Sequence, residues 1–239
     1  MASTKPMING EKKVEEVLTN GEVVYQKLYD AIMENQLKPT YRLQEEKLAK
    51  TFKVSRTIVR EALQHLSRDK LIYLEKNKGA TVYHPSIKES REVFFTRRTL
   101  EIASLKNVIH NLKDEYIEKL TCICKDELNS LSHGDNKESL KLSAKFHITL
   151  VSIAGNDVVT NIVIGLIART TLIISAYGAP SGSGCSCGTH KEFLEIIMAN
   201  DIERSRVWLE NHFEEIEDRL NFNDSWNANK NFSELFSSI

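Results

Sequence analysis

Apolar positions in the first third of the chain recur at helical spacing in three successive segments. The first runs from near Gly21 towards Pro39, the second covers RLQEEKLAKTF and the third covers SRTIVREALQHLSRD. The third segment opens on Ser55, a residue type suited to a helix N-cap. Two β-prone runs in LIYLEKNKGATVYH flank a Lys/Asn/Gly turn, which predicts a hairpin. The pattern therefore predicts three helices followed by a two-stranded wing.

From Pro85 the pattern changes to six long segments at helical spacing. The fourth of them, DVVTNIVIGLIARTTLIISAYGAP, is nearly apolar all round, which predicts a buried central helix. A mainly α fold is expected, with an N-terminal winged helix-turn-helix joined to an all-helical bundle of about six helices. The predicted boundaries are a loose tail at 1–15, the winged domain at 16–84, the helical domain at 85–221 and a polar tail at 222–239.

Composition indicates the cellular compartment in which the protein is expected. The chain starts without the apolar run of a secretory signal, and its longest apolar region, VVTNIVIGLIA, is broken by Thr160, Asn161 and Gly165. No membrane span is therefore expected. The 4 cysteines fall into two close pairs, and without a secretory signal they are expected to be reduced thiols. These observations predict a cytoplasmic protein.

Charge points to the partner of the first domain. Residues 42–78 hold 10 basic and 5 acidic side chains, although the whole chain has a net charge of −1. A basic segment in a near-neutral chain favours a polyanionic partner, while a solvated helix face gives the same count. The third helix begins with Ser55, Arg56 and Thr57, and Arg60 shares a face with Arg56. In a winged helix-turn-helix this end of the helix enters the major groove, where arginine reads guanine or binds phosphate.

The string RLQEEKLAKTFKVSRTIVREALQHLSRDKLIYLEKNKGATV resembles the GntR family of bacterial transcription regulators, most specifically through VSRTIVREAL. Three positions depart from the family pattern: Tyr41 and Lys70 replace frequent glycines, and Ile58 replaces a frequent proline. The resemblance implies contacts with double-stranded operator DNA. The implied contact residues are Ser55, Arg56, Thr57 and Arg60, with Lys76, Lys78 and Gly79 in the wing.

The rest of the chain is similar to the FadR-type, or FCD, effector domain. Three strings carry this similarity: RRTLE, FHITLVSIAGN and THKEFLEIIMANDIERSRVWLENHFEEI. The resemblance implies an effector-binding and dimerisation domain at 85–221. It puts Arg97 where a ligand carboxylate is often bound, and Ser143 is the second residue expected at the effector site. The function implied is that of a ligand-responsive homodimer, which acts as a repressor and is released from DNA by a small carboxylate metabolite.

Three histidines fall within the matching strings: His147, His190 and His212. Imidazole suits Zn²⁺ or Ni²⁺, and a helical bundle can aim such side chains into one cavity. The resemblance therefore implies a divalent metal site. Many members carry an aspartate at the position of Ser143, whose hydroxyl is a poor metal ligand. Three unrelated histidines, and a metal-free domain that binds another metabolite, are the alternatives.

The loop GSGCSCGTH precedes the helix that begins near His190. Exposed loop thiols are the favoured interpretation of Cys185 and Cys187. Alternatively, one sulfur joins the metal in place of the missing carboxylate, or the pair acts as a thiol switch. An enzyme is disfavoured: a Cys187–His190 pair would still need an oxyanion site, and the sequence has no nucleophile elbow, P-loop or Rossmann glycine pattern. A metal-dependent enzyme fused to a DNA-binding module is the remaining alternative in this class.

Overall fold

The structure is a computed structural model that describes residues 20–75, 79–178 and 189–222. In the N-terminal part, three helices precede a hairpin, as the hydrophobic pattern predicts. The elements are α1 (Asn20–Met33), β1 (Arg42–Leu43), α2 (Glu45–Phe52), α3 (Arg56–Arg68), β2 (Ile72–Glu75) and β3 (Gly79–Val82).

Two details of this domain differ from the expectation. Helix α1 ends at Met33, well before Pro39, and Asn35 follows in the left-handed region with φ of 55°. A third strand, β1, pairs antiparallel with β3, so that Arg42 lies opposite Thr81 in a sheet of order β1-β3-β2. A strand of 2 residues is too short to show alternation in a sequence.

Local sequence explains the turn between α2 and α3. Lys53 ends α2 in the left-handed conformation, with φ of 55°, and Ser55 then caps α3 by accepting a hydrogen bond from the Ile58 amide at 3.3 Å. The buried face of α3 consists of Val59, Ala62, Leu63 and Leu66. Packing of this face against α1 fixes α3 on the domain, so the opposite face and the N-terminal end are left to solvent.

The C-terminal part is an all-helical bundle, as predicted. Among the described residues it consists of α4 (Ile87–Asn111), α5 (Asp114–Ser132), α6 (Asn136–Ile153), α7 (Asp157–Tyr177), α8 (His190–Met198) and α9 (Ile202–Asp218). Five of these helices begin at a side-chain cap, namely Ser86, Asp135, Asn156, Thr189 and Asp201.

Helix α7 is long and apolar enough to cross a membrane by length and composition. In the fold it packs against α4, α6 and α1, which is the environment of a core helix. The expectation of burial all round is wrong at its N-terminal end, where Val158 and Ile162 are 70% and 47% exposed. Phe95 on α4 is likewise 62% exposed.

Helix α7 is also shared between the two parts of the molecule. Its residues Ala168 and Leu172 belong to the hydrophobic core of the N-terminal domain. Ser175 donates a hydrogen bond to Asn35 at 2.6 Å, and the Tyr177 hydroxyl donates to the Pro85 carbonyl at 2.6 Å. The bundle therefore holds the N-terminal domain through one of its own core helices.

Candidate metal centre and DNA-reading face

Three histidines from three helices meet inside the bundle. His147 lies on α6, His190 is the first residue of α8 and His212 lies on α9, and all three are at most 3% exposed. The Nε2 atom of His147 lies 3.2 Å from Nε2 of His212 and 3.2 Å from Nε2 of His190. The residues that the sequence placed on separate helices thus come together with one ring nitrogen each at a common point, within 4.8 Å of one another.

Two buried glutamates, which sequence reasoning missed, hold two of the rings from behind. Glu101 on α4 contacts Nδ1 of His147 at 2.7 Å, and Glu127 on α5 contacts Nδ1 of His190 at 2.6 Å. Glu101 also accepts a hydrogen bond from Nε of Arg97 at 2.6 Å. A signal for Glu127 existed, because it continues the buried row of Leu120, Ile123 and Cys124 along α5. A carboxylate in such a row needs a partner.

Burial keeps His147 and His212 neutral. It lowers the pKa of His147 to about 4, despite the opposing attraction of Glu101, and it also lowers the pKa of His212, which faces the other two rings. Burial alone would raise the pKa of Glu101, but His147 and Arg97 outweigh it and lower the pKa to about 2. Neutral imidazoles beside an ionised carboxylate are the protonation states that a metal site requires.

The arrangement fits a divalent cation. A carboxylate accepts a hydrogen bond from Nδ1 and so holds the ring proton on that nitrogen, which leaves the Nε2 atoms of His147 and His190 facing each other as lone pairs. Two lone pairs repel unless a positive charge lies between them. Zinc binds histidine nitrogen at about 2.0–2.1 Å in tetrahedral sites, which separates two such nitrogens by about 3.3 Å. The observed spacing of 3.2 Å matches this value closely.

Aromatic rings enclose the histidine cluster. Trp208 stacks on His212 with 4.9 Å between ring centroids, and Phe146 stacks on His190 at 4.6 Å. Trp208 in turn stacks on Phe193 at 4.4 Å. These contacts fix the ring planes, so the imidazoles are orientated before any ligand binds.

A small cavity of about 30 Å³ opens beside the cluster, with room for roughly two water molecules. Arg97 and Ser143, both expected at an effector site, line it together with His147 and His212. The remaining lining is mixed polar and apolar and consists of Glu127, Ser139, Leu140, Ala144, Ile167, Thr170, Thr171, Ile174, Ile216, Arg219 and Leu220.

The expected DNA contacts lie on one exposed end of α3. Ser55, Arg56, Thr57 and Arg60 are all exposed. Glu45 at the start of α2 approaches both arginines, at 3.5 Å from Arg56 and 2.8 Å from Arg60, so it holds the two side chains side by side. In the wing, Gly79 begins β3 with φ of 93°, while Lys76 and Lys78 lie outside the described residues.

The cysteines have different settings. Cys124 is buried and Cys122 is exposed, because positions two residues apart lie on different sides of α5. Cys185 and Cys187 lie outside the described residues, as do the predicted tail at 1–15 and all but the first residue of the tail at 222–239.

Comparison with known proteins identifies both parts of the chain. The family described as "Bacterial regulatory proteins, gntR family" matches residues 20–82, and the FCD domain matches residues 92–215. Together these segments cover the winged domain and all three histidines.

Relatives in sequence include an HTH-type transcriptional regulator, YdhC, of Bacillus subtilis (strain 168), 29% identical over 139 residues, or 58% of this chain and 62% of that protein. The gluconate operon transcriptional repressor of Bacillus licheniformis is 34% identical over 109 residues, or 46% of this chain and 44% of the relative. The Nta operon transcriptional regulator of Aminobacter aminovorans is 30% identical over 122 residues, 50% of this chain and 57% of the relative. The chain thus matches about half the length of these proteins.

Solved structures share the fold. A transcriptional regulator GntR from Rhodococcus sp. RHA1 superposes with a TM-score of 0.73 at 21% identity, covering 84% of this chain and 97% of the other. McbR/YncC of E. coli superposes with a TM-score of 0.74 at 17% identity, with the same coverage.

Proposed function

Since the chain belongs to the GntR family of bacterial regulatory proteins and carries an FCD domain, we propose that it is a ligand-responsive transcription regulator. In this proposal a homodimer binds double-stranded operator DNA in the cytoplasm. A divalent metal, zinc or nickel, occupies the three-histidine cluster, and a small carboxylate binds beside it. The observation that carries the proposal is the convergence of three Nε2 atoms in a buried cavity joined by α7 to a winged helix-turn-helix domain.

The exposed start of α3 supports DNA reading. Amide groups of the first turn of α3 that the Ser55 cap leaves available favour phosphate, and Arg56 and Arg60 extend from the same end. Glu45 holds both arginines at the surface, so little side-chain entropy is lost when they meet DNA. We assign Arg56 and Arg60 to base or phosphate contacts, and Ser55 and Thr57 to phosphate contacts. We also assign DNA contacts in the wing to Lys76, Lys78 and Gly79.

The cavity supports a small carboxylate effector. Three neutral histidines leave a tetrahedral metal with one open position, towards which a carboxylate oxygen is attracted. Arg97 lines the same cavity and supplies a second cationic contact. Ser143 lies there as well and offers a hydroxyl hydrogen bond to the effector. The small volume favours a compact metabolite.

Helix α7 supports a route from effector to DNA. Ile167, Thr170, Thr171 and Ile174 line the cavity, while Ala168 and Leu172, on the other side of the same helix, pack in the core of the DNA-binding domain. A ligand that shifts α7 therefore shifts the pose of that domain. The effect requires that the ligand binds one pose more tightly than the other.

Exposed apolar side chains support a homodimer. Glu89 near the start of α4 contacts Arg169 near the end of α7, so the two helices run antiparallel and bring Phe95 to the level of Ile162. Phe95, Val158 and Ile162 are exposed on this helix pair, and exposed apolar clusters mark association sites. A two-fold axis through the face would present two recognition helices to a near-palindromic operator.

Repression relieved by the effector is the mode we propose, because one relative in sequence is named as an operon repressor. The named relatives are regulators and not enzymes, which agrees with the absence of catalytic motifs in the sequence. A metal-free effector domain remains the second candidate for the cavity, and elemental analysis separates it from the first.

Two measurements test the proposal. Purified protein should retard a DNA fragment from upstream of its own gene in a salt-dependent manner, with the logarithm of affinity falling linearly with the logarithm of salt. A panel of mono-, di- and tricarboxylates is then added to the complex, with and without metal removal by chelation. At least one carboxylate should release the DNA, and only when metal is present. Retention of DNA under every condition would contradict the sensing role, and absence of retardation would contradict the regulator.

A further inference from the structure

We infer that Glu101 and Glu127 are positioning residues of the histidine cluster, each holding one imidazole so that its Nε2 lone pair points to the metal position. The inference rests on the proposed metal site and adds two carboxylates to it. Neither residue would touch the metal itself. Each acts through a histidine.

The geometry of the two contacts is that of a carboxylate–histidine–metal triad. The oxygen-to-Nδ1 distances are 2.7 Å for Glu101 and 2.6 Å for Glu127, at or slightly below the range of about 2.7–2.9 Å of charge-assisted N–H···O hydrogen bonds. Both carboxylates are at most 5% exposed, so water does not compete for the Nδ1 proton. In such triads the partner fixes the tautomer and raises the basicity of the ligand nitrogen.

The negative charge of the glutamates would also stabilise a bound cation. Three neutral imidazoles leave a divalent ion with its full charge of about +2 in a buried site, which is costly. Ser143 lies in the cavity wall but its hydroxyl carries no charge. Glu127, and Glu101 so far as Arg97 leaves its charge available, bring negative charge to the far side of the ligand rings, where it compensates the ion without occupying its coordination positions.

The two carboxylates are not equivalent. Glu101 is shared between His147 and Arg97, and the guanidinium offsets its charge. Glu127 faces His190 from α5, and among the described residues it forms no ion pair with lysine or arginine. Glu127 therefore offers the cleaner test, because Glu101→Gln also leaves the Arg97 guanidinium buried without its anionic partner.

The first experiment is a Zn²⁺ titration against a chromophoric chelator. Glu127→Gln and Glu101→Gln are compared with wild type and with Glu118→Gln, an exposed position on α5. Each of the first two substitutions should raise the dissociation constant of Zn²⁺ by about 10–100-fold, while Glu118→Gln should leave it unchanged. Where Glu101→Gln does not fold, Glu127→Gln carries the test.

The second experiment reads the tautomers without metal. Long-range ¹H–¹⁵N NMR of the imidazoles in the metal-free protein should find the proton on Nδ1 of His147 and His190, and Glu127→Gln should alter His190 alone. A merely structural role would lower the unfolding temperature without changing the Zn²⁺ dissociation constant of folded protein. That result overturns the inference and leaves the metal site standing. Absence of Zn²⁺ binding by wild type overturns both.

Discussion

Arg169 on α7 binds the carboxylate of Glu89 on α4, and this pair closes the junction between the two domains. Glu89 also accepts a hydrogen bond at 2.6 Å from the hydroxyl of Tyr83, which directly follows β3 of the wing. The Glu89 contact raises the pKa of Tyr83 to about 12, so the hydroxyl stays protonated and keeps donating at physiological pH. One carboxylate thus ties the N-terminal domain to the helix that lines the cavity beside the histidines.

Arg169→Met should loosen this junction. Because the pair is partly buried and shared with Tyr83, its loss should speed proteolytic cleavage within residues 83–89 several-fold, through more frequent local opening. Arg206→Met is the matched control, since Arg206 also pairs with glutamates but at the surface of α9. Equal cleavage of the two variants would contradict the role of the pair in the junction.

Arg56→Ala and Arg60→Ala should each weaken binding to a specific operator by about 1–3 kcal/mol, because each removes a charged contact at the start of the recognition helix. Arg68→Ala, at the far end of the same helix, should have a small effect. Fluorescence anisotropy with operator and unrelated duplexes at several salt concentrations measures the change. Retained specific affinity in Arg56→Ala would reject the proposed reading face.

Combined His147→Ala and His212→Ala substitutions should remove bound metal, because a single imidazole is left at the point where three nitrogens meet. Metal content per protomer, measured by elemental analysis after dialysis, should fall from about one to the level of the blank. His110→Ala, an exposed position on α4, should retain the metal. Equal metal content in all three proteins would count against the centre.

Phe95→Glu should convert the proposed dimer into a monomer, since a charge would be buried without a partner in an apolar interface. Light scattering coupled to size-exclusion chromatography measures the mass. Val207→Glu on α9 is the control, because Val207 is 44% exposed but lies on a different helix from the proposed face. Loss of the dimer in the control alone would move the interface to α9.

The sequence by itself determined the parts of the molecule that depend on neighbours along the chain. Ser55 caps α3 as predicted, because a cap requires only the next three residues. The change of pattern at Pro85 marked the start of the helical bundle for the same reason, since amphipathic periodicity is local. The strings around Arg56 and His147 were sufficient to indicate both families.

Tertiary structure alone decided how the histidine site is built. His147, His190 and His212 come from distant helices, and only packing of α6, α8 and α9 brings their Nε2 atoms together. Glu101 and Glu127 were not predicted as site residues, because their histidine partners lie 46 and 63 residues away along the chain. Likewise, the apolar pattern of α7 identifies it as a core helix. The pattern does not show that α7 packs in the cores of both domains. Long-range contacts of this kind depend on the crossing of helices, which no short stretch of sequence encodes.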